Sequence, residues 1–197
     1  MLHVAHERQE ERDTEMLKYL LAIASLLVAA PQLAAAETAS IHSPDEYCRA
    51  TGGTVQTRTP EFGTNGGTPL VLAGAREFCQ YTSADGTTQI SVLLTTLVTT
   101  KPTLAALAYY AKPKANLKKC EGGPGSCYCS DIGGTDNFGG ITAAGGGWVL
   151  SSNVNDVLDL CAFPDLSAID AYGLFYHSHH IIRGRDLDHK LRYPDPY

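Results

Sequence analysis

The chain has no apolar run of bilayer-spanning length, no excess of positive charge, and none of the short motifs that announce common catalytic chemistry. Its apolar stretch over residues 20–30 falls well short of the ~20 residues a membrane helix needs. A stable span is therefore not expected. With Lys+Arg at 15 against Asp+Glu at 21 and a net charge of −6, it has no basic stripe to neutralise phosphates, which argues against nucleic acid and against an anionic membrane surface. Gly-x-Ser-x-Gly and His-Glu-x-x-His are both missing, so neither a nucleophile elbow nor a zincin helix is present. Gly145-Gly146-Gly147 has no following lysine and reads as a flexible turn, not a phosphate loop. No catalytic residue and no cofactor is assigned. A serine, a histidine and an aspartate brought together by the fold remain an open alternative, since triads are recognised by geometry and not by order.

What is present begins with a targeting pattern. Lys18 precedes the apolar run, Pro31 breaks it, and Ala34-Ala35-Ala36 stands just before Glu37. This is the order of a secretory signal peptide with an A-x-A cleavage site. We expect residues 16–36 to be the signal and cleavage to follow Ala36. Residues 1–15 carry Glu7, Glu10, Glu11, Asp13 and Glu15, an acidic lead where a signal peptide should be cationic, so an over-extended start before Met16 is expected. No cysteine sits at the cleavage site to accept a lipid. Cleavage would remove three of the 15 basic and five of the 21 acidic side chains, leaving a net charge of −4. A periplasmic or extracellular location follows.

All six cysteines lie beyond the signal, and an even number in an exported chain means disulfides. Their arrangement is repetitive. Tyr-Cys-x-x-x-Gly-Gly-Thr occurs at Tyr47, Cys48, Gly52, Gly53 and Thr54, and again at Tyr128, Cys129, Gly133, Gly134 and Thr135, with Cys79 and Cys161 downstream at nearly equal distances. We read an internal duplication. Copies that fold alike would pair Cys48 with Cys79 and Cys129 with Cys161, leaving Cys120 for Cys127. The competing plan exchanges Cys127 and Cys129. A zinc site at Cys120, Cys127 and Cys129 lacks the usual Cys-x-x-Cys pair. By the chain-entropy relation the two long loops are worth about 3.5 to 4 kcal/mol each and the short one about 2.5.

The expected organisation is α+β: two diverged disulfide-stapled units of short helix plus antiparallel strands, packed as one compact body. The first unit spans residues 43–98. Ser43-Pro44-Asp45-Glu46 is a capping box with proline at the first helical position, so a helix is predicted over 44–50, followed by a strand over 54–59. Asp85-Gly86 marks a hairpin between strands over 76–82 and 87–99. Residues 99–127 form a connection: a buried helix over 104–110 with Thr103 as cap, then a linker over 112–125. The second unit spans 128–176. It has a short strand at Trp148-Val149-Leu150, a stretch over 155–163 that fits neither period, and a helix from Ala168 to about Phe175 capped by Ser167 with Asp170 completing the box. A polar, exposed tail is expected over 177–197.

These residues resemble a known family. Pro44-Asp45-Glu46-Tyr47-Cys48-x-x-x-Gly52-Gly53 with a later cysteine, and Cys161-Ala162-Phe163-Pro164-Asp165 with the aromatic-bearing stretch to Phe175, are similar to the unit of the small secreted DUF333 family, often labelled hemolysin. The resemblance covers residues 43–85 and 128–176. Leu166 departs from it, standing where the family pattern has glycine after Pro-Asp. It implies a small exported scaffold and brings no catalytic residue.

The candidate chemistry is metal binding by His177, His179 and His180, with His189, Asp186 and Asp188 nearby in sequence. Imidazole with carboxylate suits zinc or copper. The plain alternative is a solvated helix end, where histidine is favourable at the negative pole. Function is expected to be that of a non-enzymatic binding or interaction module with a protein or small-molecule partner. The alternatives are a hydrolase assembled from distant residues, which needs a titratable pair with perturbed pKa values, and a membrane-active factor, for which the helix over 104–112 lacks a basic face.

Overall fold

The computed structural model describes residues 43–136 and 144–197. The expected signal over 16–36, the lead over 1–15 and Gly139-Gly140 lie outside the described residues. The class is α+β. Helix α1 (Pro44–Ala50) carries the full capping box: Ser43 Oγ accepts from the Glu46 amide, and Glu46 returns a carboxylate to the Ser43 amide at 3.1 Å. The chain leaves α1 through Gly52 at φ 86°, a left-handed conformation that favours glycine. At Gly53 a Cβ would collide with the sulfurs of Cys48 and Cys79. The motif thus has a mechanical reading: one glycine turns the chain and the next lets it pass against a disulfide.

Strand β1 (Thr54–Phe62) follows, then β2 (Leu70–Val71), β3 (Arg76–Thr82) and β4 (Gln89–Leu93). The second repeat runs the same course. Helix α4 (Pro124–Asp131) leaves through Gly133 at φ 87°, Gly134 lies against the Cys129–Cys161 sulfurs, and β5 (Thr135–Asp136), β8 (Leu160–Ala162) and β9 (Ala168–Asp170) correspond to β1, β3 and β4. Disulfides join Cys48 to Cys79, Cys120 to Cys127 and Cys129 to Cys161.

All pairings are antiparallel, in the order β5-β8-β9-β4-β3-β1, continued by β6 (Gly146–Leu150) and β7 (Asn153–Leu158), with β2 on β1. The registers Val55↔Cys79↔Val92 and Asp136↔Cys161↔Ile169 are equivalent, and Val92 pairs with Ile169. The repeats therefore meet at matching residues around a pseudo-two-fold axis, forming one sheet. A single residue, Asp159, separates β7 from β8, although five strands lie between them in the sheet. A flat sheet would hold them about 29 Å apart at its usual strand spacing, so the sheet curls. Phe78, Leu158, Leu160 and Ala168 pack inside the curl with Trp148. Arg58 lies there fully buried, donating to Gln56 Oε1, the Trp148 and Asp156 carbonyls and Asp156 Oδ1. Across the sheet a larger core holds Tyr81, Val92, Leu97, Tyr109, Ile169 and Leu174 against the helices.

Several expected elements are corrected. The second hairpin strand ends at Leu93 and continues as helix α2 (Leu94–Val98). The supposed linker holds a 3-10 turn at Leu117–Lys119 and the first turn of α4. The ambiguous stretch is β7 and β8. The last helix, α5 (Ala171–Ser178), starts later than predicted, because Ala168–Asp170 pairs with β8 and β4 and Asp170 becomes the cap, accepting from the Gly173 amide at 2.8 Å. Ser167 caps a different helix: with Asp165 it accepts the Ala105 and Leu104 amides at the start of α3 (Leu104–Ala111). The tail after α5 is not a free polar segment. Leu187 and Leu191 are buried, the Tyr110 hydroxyl donates to the Tyr193 carbonyl, and Lys190 Nζ reaches the Thr51 carbonyl. Leucines spaced among charged residues carry it onto the helical layer.

Candidate functional site

The four C-terminal histidines are not gathered together. His179 caps α5 with its ring toward the Phe175 carbonyl, His180 follows at φ 60°, and both are exposed, as is His189. His177 and His179 do not share a side as alternate residues of a strand would, since α5 runs through His177. That residue alone turns inward, with 3% of its surface exposed. Its ring lies flat on Tyr109 of α3, centroids 3.7 Å apart and planes within 7°.

Opposite the ring, the tail supplies Asp186 and Asp188. One donor atom from each of His177, Asp186 and Asp188 lies within 4.8 Å of the others. Tyr109 organises the carboxylate side: its hydroxyl donates to Asp186 Oδ1 at 3.0 Å and accepts the Leu187 amide at 2.9 Å. The Asp188 amide also donates to Asp186 Oδ1. Asp188 Oδ1 is buried without a hydrogen-bond partner, and neither ring nitrogen of His177 has one of good geometry; a weak approach to the Tyr109 backbone is the least of the influences on its basicity.

Burial, then the nearby Lys112 ammonium, pulls the His177 pKa down to about 4. The imidazole is neutral at neutral pH and keeps a lone pair to give. Burial opposes ionisation of Asp186, but the Asp188 amide and Tyr109 hydroxyl outweigh it and lower its pKa; Asp188 is raised by burial and by Asp186. Burial also drives the Tyr109 phenol far above its ordinary range. Lys112, the left-handed residue ending α3 at φ 47°, brings positive charge to the pit. Asp186 is exposed and forms its solvent side.

Comparison of the chain with protein-family models, with curated proteins and with solved structures gave no match. What the site can do follows from its atoms: a neutral imidazole and an Asp188 oxygen, both without hydrogen-bond partners, converge with the Asp186 carboxylate and form a receptor for a cation.

A second titratable group lies in the second repeat. Asp159, at the β7–β8 corner, accepts from Ser126 Oγ at 3.1 Å, and burial followed by its hydrogen bond with Asp136 pushes its carboxyl up to about 7. Asp170 is raised to about 6 by burial. Neither Tyr109 nor Lys112 is recognisable from the sequence as a site residue, because only the folding of α3 onto α5 gives them a part in it. The nearest signal is the expectation that the helix containing Tyr109 would be buried.

Proposed function

We propose that the chain is an exported, disulfide-locked binding module that acts without catalysis and takes a small cation among His177, Asp186 and Asp188. The observation that carries this reading is the burial of an unpartnered imidazole against two carboxylates. A buried polar group without a hydrogen bond costs about 1–3 kcal/mol, and a fold held by three disulfides can sustain that cost for the sake of a ligand. Export is supported by the signal-like segment, by the disulfides, and by the resemblance to a secreted family. Among the described residues no helix is long and apolar enough to cross a membrane. The test is a thermal-shift panel on the oxidised protein with small amines, guanidines and divalent metal ions. At least one cation should raise the Tm saturably in the native protein and not in His177→Ala. If no cation in the panel does so, the reading fails.

A second reading rests on Asp159. A carboxyl group that holds its proton to near neutrality beside another carboxyl resembles a general acid and its partner. A hydrolase of this kind would lose activity in Asp159→Asn while the His177 variant kept it. Absence of turnover on ester, glycoside and peptide substrates would dismiss it.

A further inference from the structure

Resting on the reading of the pit as a cation site, we infer that its ligand is a divalent first-row transition-metal ion of the zinc type, held by His177, Asp186 and Asp188. The donor types, one imidazole nitrogen and two carboxylates, suit such an ion. Metal–nitrogen and metal–carboxylate bonds of about 2.0–2.2 Å place tetrahedral donors roughly 3.4 Å apart. The three atoms lie within 4.8 Å of one another, wider than that spacing, so the ion must draw them together; Asp188, whose Oδ1 has no hydrogen-bond partner, is the ligand free to move. The imidazole is held ready by its stack on Tyr109 at 3.7 Å. The same tyrosine hydroxyl fixes Asp186 through Oδ1 and leaves the other oxygen for the ion, the arrangement by which outer-shell groups orient metal ligands.

The donor set selects the class of ion. Calcium and magnesium prefer oxygen throughout, whereas the buried group here is an imidazole. Soft copper(I) seeks sulfur, and all six cysteines are in disulfides. An ammonium ion can also donate to the imidazole and to both carboxylates, so the experiment includes an amine as the competing cation. One nitrogen and two oxygens leave at least one coordination position for water or another ligand, as in open metal sites. Because the tail is already held on the helical layer by the buried Leu187 and Leu191 and by the Tyr110–Tyr193 and Lys190–Thr51 hydrogen bonds, the ion is exchangeable cargo and not a folding requirement.

The experiment uses the oxidised protein stripped with a chelator, titrated with Zn2+ against a chromophoric chelator and with Co2+ by visible absorption. The expected result is saturable 1:1 uptake, with cobalt bands of four- or five-coordinate strength. His177→Gln and Asp188→Asn should each weaken binding at least tenfold, while the His179→Ala/His180→Ala double variant stays within about twofold. Asp188→Asn serves if His177→Gln folds poorly, as judged by circular dichroism. Lack of 1:1 uptake overturns the inference, as does uptake unaffected by Asp188→Asn but lost with His179 and His180. Stabilisation by an amine with no metal uptake overturns the choice of metal and leaves the cation pit standing.

Discussion

Gly53 and Gly134 show how much a single atom decides in this fold. Each lies where a Cβ would run into both sulfurs of its repeat's disulfide, and neither sulfur can swing away. Gly134→Ala and Gly53→Ala should each cost about 1–3 kcal/mol, the usual range for overpacking a filled core. Chemical denaturation of the oxidised proteins measures this. Leu166 sits differently, at φ 65° and 82% exposed. Leu166→Gly should be neutral or stabilising by up to about 1 kcal/mol, since it removes a left-handed backbone penalty and little contact. Single residues also mark how far the sequence was legible. His177, Asp186 and Asp188 could be named as candidates from their chemistry. Their separation from His179 and His180 could not, because it depends on which face of α5 meets Tyr109. Arg58 gave no signal at all: a charged residue in an alternating strand reads as solvent-facing, and only the curl of the sheet buries it.

At the scale of elements, helix α3 is the clearest case of a contact that local pattern misassigns. Thr103 accepts the Ala106 amide at 3.3 Å, as expected, but the Leu104 and Ala105 amides go to Asp165 and Ser167 across the fold. Ser167 is buried, so Ser167→Ala leaves an amide unpaired in the interior and should cost about 1–3 kcal/mol. Thr103→Ala should cost less, about 0.5–1 kcal/mol, as an ordinary cap. The reverse ordering in equilibrium unfolding would mean that the second repeat does not cap α3. Ser167 and Asp170 both look like caps in the sequence. The pairing of β9 with β4 decides between their roles, and that pairing joins distant segments. Local capping and turn chemistry made α1, α3 and the β3–β4 hairpin readable; the start of α5 was set by the pairing of β9 with β4 and β8.

For the molecule as a whole, the duplication is the reason so much of the disulfide scaffold could be anticipated. Equal register in both repeats brings Val92 to Ile169 and fixes both long disulfides. Summed, the three bonds are worth roughly 10 kcal/mol by the entropic relation, similar to the net stability of a typical domain. Reduction should therefore unfold the chain at ambient temperature, as read by loss of near-ultraviolet dichroism. Stability should also depend on pH, with Asp159 and Asp170 acting in one direction and His177 in the other; Asp170, raised to about 6, adds to the gain below pH 6. Asp159, raised from 3.8 to about 7, binds a proton in the folded state before it does so unfolded, so stability rises as pH falls through about 7. His177, lowered from 6.5 to about 4, resists protonation when folded, so its contribution is lost as pH falls from 6.5 toward 4. The native protein should be more stable at pH 6.5 than at pH 8, and Asp159→Asn should flatten that difference. His177→Gln should steepen the gain on further acidification. An unchanged profile in Asp159→Asn would place the titrating group elsewhere.

The claim that one buried histidine and two tail aspartates form the ligand site is tested most directly by a histidine-selective 1H–15N correlation spectrum of the oxidised protein, recorded with and without one equivalent of Zn2+. The ring nitrogens of His177 should shift while those of His179, His180 and His189 stay in place. Shifts confined to the exposed histidines, with His177 unmoved, would contradict it.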